Sequence, residues 1–191
     1  MDEVIQPRRS LLQDEESLVQ RAQQRDTEAF ARLYEAYFDK IYRYIATRVR
    51  NEAEAEDLTQ QVFIKMLHSI SSFKFQGPPF SSWLYRIAHN QVVDYMRQQN
   101  KKATLDIEGL ELPDTKDGPE HLLEKQVDIE EVKKATQKLT PAQQEVIALR
   151  FTSELSTAEC AKIMEKSEGA IKALQHSAVL ALRKAMAGES I

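Results

Sequence analysis

Four histidines and one cysteine are the side chains with the most versatile chemistry in this chain, and their spacing supports none of it. His68, His89, His121, His176 and Cys160 show no metal-ligand spacing. No phosphate loop or dinucleotide fingerprint occurs. Paired acids such as Glu130-Glu131 lie in solvated charge runs. The expectation is a protein with no catalytic residues, no metal and no cofactor. The chemistry the residues do support is contact with nucleic acid. Phe73, Lys74, Phe75, Gln76 and Phe80 lead into a stretch with Arg86, His89, Asn90, Arg97, Lys101 and Lys102. Rings can stack on unpaired bases, cations can meet phosphates, and amides can read base edges. The competing reading makes the rings core. Trp83 fits that reading, because it continues the Leu84–Ile87 apolar face, whereas Phe73 and Phe75 stay open between the two.

A second candidate lies near the C-terminus. Ser156-Thr157-Ala158-Glu159 is a capping box, and Ser167 caps another helix about three residues after the first one ends. Two capped helices with so short a break have the build of a helix-turn-helix, whose second helix enters the major groove of duplex DNA. Any three-helix bundle also has capped helices, so this signal is not decisive alone. The second helix presents Lys172, His176, Arg183 and Lys184, with Ile171, Leu174, Ala178 and Leu182 inward. Cys160 is alone, which excludes an intrachain disulfide and fits a reducing cytoplasm. It reads as a small buried residue.

Helices must position these groups. Asp26 starts one with Phe30, Leu33, Tyr34, Tyr37, Ile41, Tyr44 and Ile45 on one stripe. Another spans about 52–70, with Leu58, Val62, Phe63, Met66, Leu67 and Ile70 on one side and acids in its first turn. A third is expected from Ser81 or Ser82 to about Lys102, after a break marked by Gly77-Pro78-Pro79. Further helices are expected over about 122–138, and from the Thr140-Pro141-Ala142-Gln143 capping box through Phe151. No strand pattern appears. The fold class is all-α: two small helical domains joined by an acidic linker. The boundaries read as a flexible tail over 1–15, a first domain over 16–102, a linker over 103–122 and a second domain over 123–187.

The chain has 191 residues and net charge −4, an unpromising sign for a DNA binder. The charge is unevenly spread. Residues 103–131 hold ten acids and two bases, which leaves net +4 for the rest, where phosphate contacts would need it. No apolar run approaches the roughly 18 residues of a membrane span, and the N-terminus lacks a signal-peptide core. The expected location is cytoplasmic.

Several motifs in order resemble one family. Asp57-Leu58-Thr59-Gln60-Gln61-Val62-Phe63, then the Phe80–Asn90 segment, then Asp94-Tyr95-Met96-Arg97, resemble region 2 of bacterial sigma factors. Leu139-Thr140-Pro141-Ala142-Gln143-Gln144-Glu145-Val146-Ile147-Ala148-Leu149-Arg150-Phe151 and the helix-turn-helix resemble region 4. The two stretches cover about Leu18–Lys102 and Val127–Met186. With no room for regions 1.1 or 3, the layout is that of the extracytoplasmic-function (ECF) subfamily.

The resemblance implies binding to core RNA polymerase and selection of promoter DNA. Asp57, Gln60, Gln61 and Phe63 would dock on the clamp helices of the largest catalytic subunit. The family usually has Glu at the Gln61 position, so one charge is missing there. Phe73, Lys74, Phe75, Gln76, Arg86, His89, Asn90, Arg97 and Lys101 would read the −10 element as a separated strand with a flipped base. Asn90, Asp94 and Arg97 match the family's signature on that helix. Glu168, Lys172, Ala173, His176 and Ser177 would read the −35 element as duplex. Arginines frequent in the family at the positions of Leu174, Ser177 and Val179 are absent, which implies fewer phosphate contacts and a shallower salt dependence. An anti-sigma factor is a further partner the family implies, and the acidic linker would cross the polymerase near its cleft or RNA exit path. Two alternatives remain at this stage: a helix-turn-helix regulator acting without polymerase, and an interaction module that sequesters a partner.

Overall fold

The computed structural model describes residues 7–49, 51–75, 77–105, 131–132 and 134–187. Gln76, nearly all of the expected linker and the first part of the helix expected from Leu122 lie outside the described residues. Four helices form the N-terminal unit: α1 (Pro7–Gln23), α2 (Thr27–Ala46), α3 (Glu52–Ser69) and α4 (Phe80–Leu105). After a short helical stretch at 134–137, three more form the C-terminal unit: α5 (Pro141–Ile147), α6 (Thr157–Ile163) and α7 (Glu168–Met186). No strand occurs among the described residues.

α1 starts at Pro7, inside the segment expected to be a tail. Its inward residues Val19 and Ala22 are buried, and Tyr37 on α2 donates to Glu15 at 2.5 Å. The turn into α2 has Arg25 in left-handed backbone (φ 66°). Asp26 then caps α2 by accepting from the Glu28 and Ala29 amides at 3.0 and 3.1 Å, while Arg21 donates to it at 2.8 Å. The Ala29 amide bond, followed by the bond and charge of Arg21, holds the Asp26 carboxyl below its ordinary value.

The stripe foreseen on α2 is the core: Leu33, Ile41, Tyr44 and Ile45 are almost wholly buried, with Val62, Met66, Leu84 and Val92 from the neighbouring helices. Each such side chain contributes about 1.5–3 kcal/mol. α4 begins at Phe80, a residue earlier than its serines suggest. Ser82 is buried and donates to Glu159 at 2.9 Å instead of capping.

In the C-terminal unit all three foreseen caps form. The Thr140–Gln143 box closes α5, with Pro141 in its first turn. The Ser156–Glu159 box closes α6, and Ser167 accepts from the Ala170 amide at 3.2 Å at the start of α7. The helix expected to run through Phe151 instead widens to π-type hydrogen bonding over Ala148–Thr152, with the Ser153 amide bonding back to the Ala148 carbonyl at 3.0 Å. Arg150 holds this wide turn by donating to the Leu155 carbonyl and to Gln175. The two units share one continuous hydrophobic core, and α4 lies against α6.

Candidate polymerase and nucleic-acid interfaces

α3 supplies the first surface. The caps and acids at its N-terminus (Asn51 accepts from the Glu54 amide at 3.1 Å) fix its start. Leu58, Val62 and Met66 then face inward, which leaves Asp57, Gln60 and Gln61 outward. Phe63, expected in the docking set, is 3% exposed and packs on Tyr34 at 4.7 Å between ring centres. It therefore supports the surface from beneath. Leu67, expected on the inner side, is 55% exposed, and Ile64 is 54% exposed. Gln60, Ile64 and Leu67 lie at i, i+4, i+7, one outward stripe with two unpartnered apolar side chains. A strict reading of helical phase would have found this stripe. Gln61 accepts from Gln91 at 3.0 Å, and Lys65 donates to Gln91 at 2.6 Å, so the group at the family's Glu position is tied back to α4.

The aromatic loop resolves the reading that stayed open. Phe73 is 7% exposed and lies in a cluster with Phe80 at 5.6 Å and Trp83 at 5.4 Å. Gln23 donates to the Ile70 and Phe73 carbonyls at 3.0 and 2.8 Å, pinning the loop to α1. Phe73 is thus core and not a stacking platform, because its ring is packed against Phe80 and Trp83. Phe75 is the exposed ring, at 39%, with its neighbour Phe73 edge-on at 5.1 Å. Lys74 is exposed beside it.

On α4, Asn90, Arg97 and Lys101 face outward, and Arg97 meets Asp94 at 3.4 Å. Arg86 and His89 belong to another stripe, one turned toward the C-terminal unit. Arg86 pairs with Glu165 at 2.8 Å, and His89 Nδ1 lies 2.9 Å from Glu145 Oε1.

Glu145 escaped sequence reasoning. It is 3% exposed, accepts from Tyr44 at 2.6 Å, and lies 3.0 Å from Arg48 Nε as an ion pair without hydrogen-bond alignment. Arg48 donates to Gln144 at 2.8 Å. Burial pushes the Glu145 carboxyl up. The bond and charge of His89, the charge of Arg48 and the bond from Tyr44 outweigh burial and leave it below its ordinary value. Burial, then Glu145, pushes the Tyr44 hydroxyl well above its ordinary range. An open cleft of about 900 Å³ adjoins this group, lined in part by Val93, Met96, Arg97, Lys101 and Lys166.

α7 carries the third surface. Ile171, Ala178 and Ala181 are buried, so Glu168, Lys172, Ala173, His176 and Ser177 all stand exposed on the opposite side. Ser177 accepts from Gln143 at 3.2 Å, which fixes the helix against α5. Cys160 on α6 is buried, and burial pushes its thiol up to about 11. Among the described residues no group of acids, histidines or cysteine is arranged to hold a metal, and no helix is long and apolar enough to cross a membrane.

Two family models match: Sigma-70 region 2 over residues 33–102, and Sigma-70, region 4 over residues 135–184. The ECF RNA polymerase sigma factor BldN of Streptomyces coelicolor is 40% identical over 87% of this chain, which spans 64% of that protein's length. The ECF RNA polymerase sigma factor SigW of Bacillus subtilis is 34% identical, over 83% of this chain and 89% of its own. The sigma factor RpoE of Bartonella quintana, solved in complex with the anti-sigma factor NepR, shares the fold with a TM-score of 0.70 at 24% identity, covering 82% of this chain and 96% of that one. With both regions present in order on these surfaces, the chain belongs to the ECF group of the sigma-70 family of RNA polymerase sigma factors.

Proposed function

We propose that this sigma factor divides promoter-directed initiation among its three surfaces. Residues 16–102 act as the polymerase-docking and −10 unit, 123–187 as the −35 unit, with the acidic stretch 103–122 between them. The outer stripe of α3, with Asp57, Gln60, Ile64 and Leu67, docks on core RNA polymerase. Phe75 and Lys74 stack on and neutralise the separated −10 strand, and Arg86, His89, Asn90, Arg97 and Lys101 follow it along α4. Lys172, Ala173, His176 and Ser177 read duplex −35 DNA, with Glu168 at the helix entry. The protein works in the cytoplasm, without a cofactor and without catalysing a reaction. An anti-sigma factor is the partner that would restrain it. The acidic linker runs near the polymerase cleft, where its charge imitates nucleic acid.

The observation that carries this reading is the α3 stripe. Two large apolar side chains more than half exposed, beside acids and amides, suit a protein interface. A regulator that binds operator DNA alone has no use for them. The test is transcription from a library of promoter fragments by core polymerase with and without the purified chain. Transcripts that depend on the chain and share a −10 and a −35 sequence are expected. Operator binding by the chain alone, with no dependent transcript, overturns the reading.

A further inference from the structure

We propose that Gln23, at the end of α1, is a positioning residue for −10 recognition: its side-chain amide clamps the backbone from which Lys74 and Phe75 emerge, and so sets which bases of the separated strand they meet. The proposal rests on the assignment of Lys74 and Phe75 to the −10 element. None of the three surfaces includes α1.

The Gln23 amide nitrogen donates to the Ile70 carbonyl at 3.0 Å and to the Phe73 carbonyl at 2.8 Å. A side-chain amide has two N–H donors, and both are used here. The bonds reach across 47 and 50 residues, so they tie together two distant segments. The Ile70 carbonyl also accepts from the Phe73 amide at 3.0 Å, closing the short 3-10 turn at Ile70–Ser72. Gln23 thus holds that turn at both ends. The consequence lies one peptide further on. A peptide unit is planar, so a carbonyl and the Cα that follows it keep a fixed relation. Holding the Phe73 carbonyl therefore fixes the direction in which the chain leaves toward Lys74 and Phe75.

Two anchors meet at Phe73. Its ring packs on Phe80 and Trp83, at 5.6 and 5.4 Å between centres, and its carbonyl is held by Gln23. The ring contacts alone leave the peptide after Phe73 able to rotate, and the amide removes that freedom. Phe75 rests edge-on against the same ring at 5.1 Å while staying exposed. A ring presented in one orientation lowers the ordering cost of binding a strand and confines contact to particular bases. The clamp has a fixed base. Val19 and Ala22 of α1 are buried. Just past Gln23 the Gln24 and Arg25 amides bond back to the Arg21 and Ala22 carbonyls at 3.0 Å. Gln23 itself is only half-buried, so removing its amide acts on loop geometry more than on the core.

The test uses holoenzyme assembled with the full chain. Gln23→Met keeps the stem and removes both donors. Fluorescence anisotropy with a single-stranded oligonucleotide of the −10 sequence selected by holoenzyme should show about tenfold weaker binding, the scale of two lost hydrogen bonds. Discrimination against single-base changes should fall at the bases that Lys74 and Phe75 meet. Affinity for core polymerase and for duplex −35 DNA should stay within about twofold. In a Lys74→Ala, Phe75→Ala background, Gln23→Met should add no more than about twofold, because it acts through those side chains. Unchanged affinity and base preference overturns the proposal. So does a loss shared equally with core-polymerase binding, or a full further loss in the Lys74→Ala, Phe75→Ala background. If circular dichroism shows that Gln23→Met is unfolded, Gln23→Asn decides, because it keeps the amide but falls one methylene short of the carbonyls. The same selective loss supports the clamp, and its absence overturns it. Failure of the −10 assignment is a distinct result: Lys74→Ala, Phe75→Ala would then leave oligonucleotide binding intact. Failure of the clamp alone keeps the loss in that double variant and spares Gln23→Met.

Discussion

α4 and α7 are the two helices that carry the residues proposed to face DNA, and the fold treats them differently. On α7 every candidate position, Glu168, Lys172, Ala173, His176 and Ser177, stands in solvent. On α4 the candidates split between two stripes. Asn90, Arg97 and Lys101 form one exposed stripe, while on the other Arg86, also exposed, and the half-buried His89 meet carboxylates of the other unit. Duplex recognition needs only a rigid helix with a free face, which capping and a buried opposite side provide. Holding a separated strand needs rings and cations to be released together, and part of that set is bound up elsewhere in this conformation.

The largest effects should separate core from site in the N-terminal unit. Phe73→Ala should cost about 3–5 kcal/mol of stability, measured by chemical denaturation. Phe75→Ala should leave stability nearly unchanged and weaken single-stranded −10 binding by about 1–3 kcal/mol. Equal losses of stability for both would erase the distinction between the two rings. Next, Ile64→Glu with Leu67→Glu on α3 should weaken binding to core polymerase at least about a hundredfold, with the melting temperature retained. Unaltered polymerase affinity would move the docking surface elsewhere.

In the C-terminal unit, Cys160 should be alkylated about a hundredfold more slowly in the native chain at pH 7.5 than in the unfolded chain, because its thiol is pushed up to about 11. Mass spectrometry after timed iodoacetamide treatment measures this, and fast native labelling would place the thiol at an open seam. Lys172→Ala should cost about 1–3 kcal/mol in duplex −35 binding and lower the salt slope by about one. His176→Ala should act at particular bases without altering that slope.

The smallest effect tests the junction between the two units. The lowered Glu145 carboxyl contributes stability that is fully present above its ordinary value of 4.5 and is lost as pH falls through its lower folded value. The groups facing it are Tyr44, Arg48 and His89. Scattering between pH 6 and pH 3 should therefore show the units separating in the acid range in the unaltered chain, and no such acid step should remain in Glu145→Lys.

The helices themselves were legible without a structure. Asp26, Thr140, Ser156 and Ser167 announce helix starts through side-chain bonds to amides two or three residues away, and all four bonds form. The α2 stripe needs only helical period to identify its buried side. Legibility failed where distant segments decide the outcome. Nothing near Phe73 distinguishes it from Phe75; Gln23, fifty residues away, pins its carbonyl, and its ring packs inward on Phe80 and Trp83. Leu67 resembles a core residue until the packing of α3 against α2 and α4 leaves its side uncovered. The π-type turn at Ala148–Thr152 is stabilised by Arg150 reaching the Leu155 carbonyl and α7, so no local composition predicts it.

By itself the sequence determined the all-α class, the helix-turn-helix, the order of the two sigma regions and the residue types at each surface. These rest on interactions spanning a few residues, whose energies are set locally. Only the tertiary structure decided which aromatic is core, which side of α3 stays apolar and open, and that Glu145 is clamped by Tyr44, 101 residues earlier, and by His89, 56 residues earlier. A carboxylate in a sequence has no preferred state. Its protonation, its partners and its cost depend on which charges folding brings within about 3 Å and on how much water it excludes.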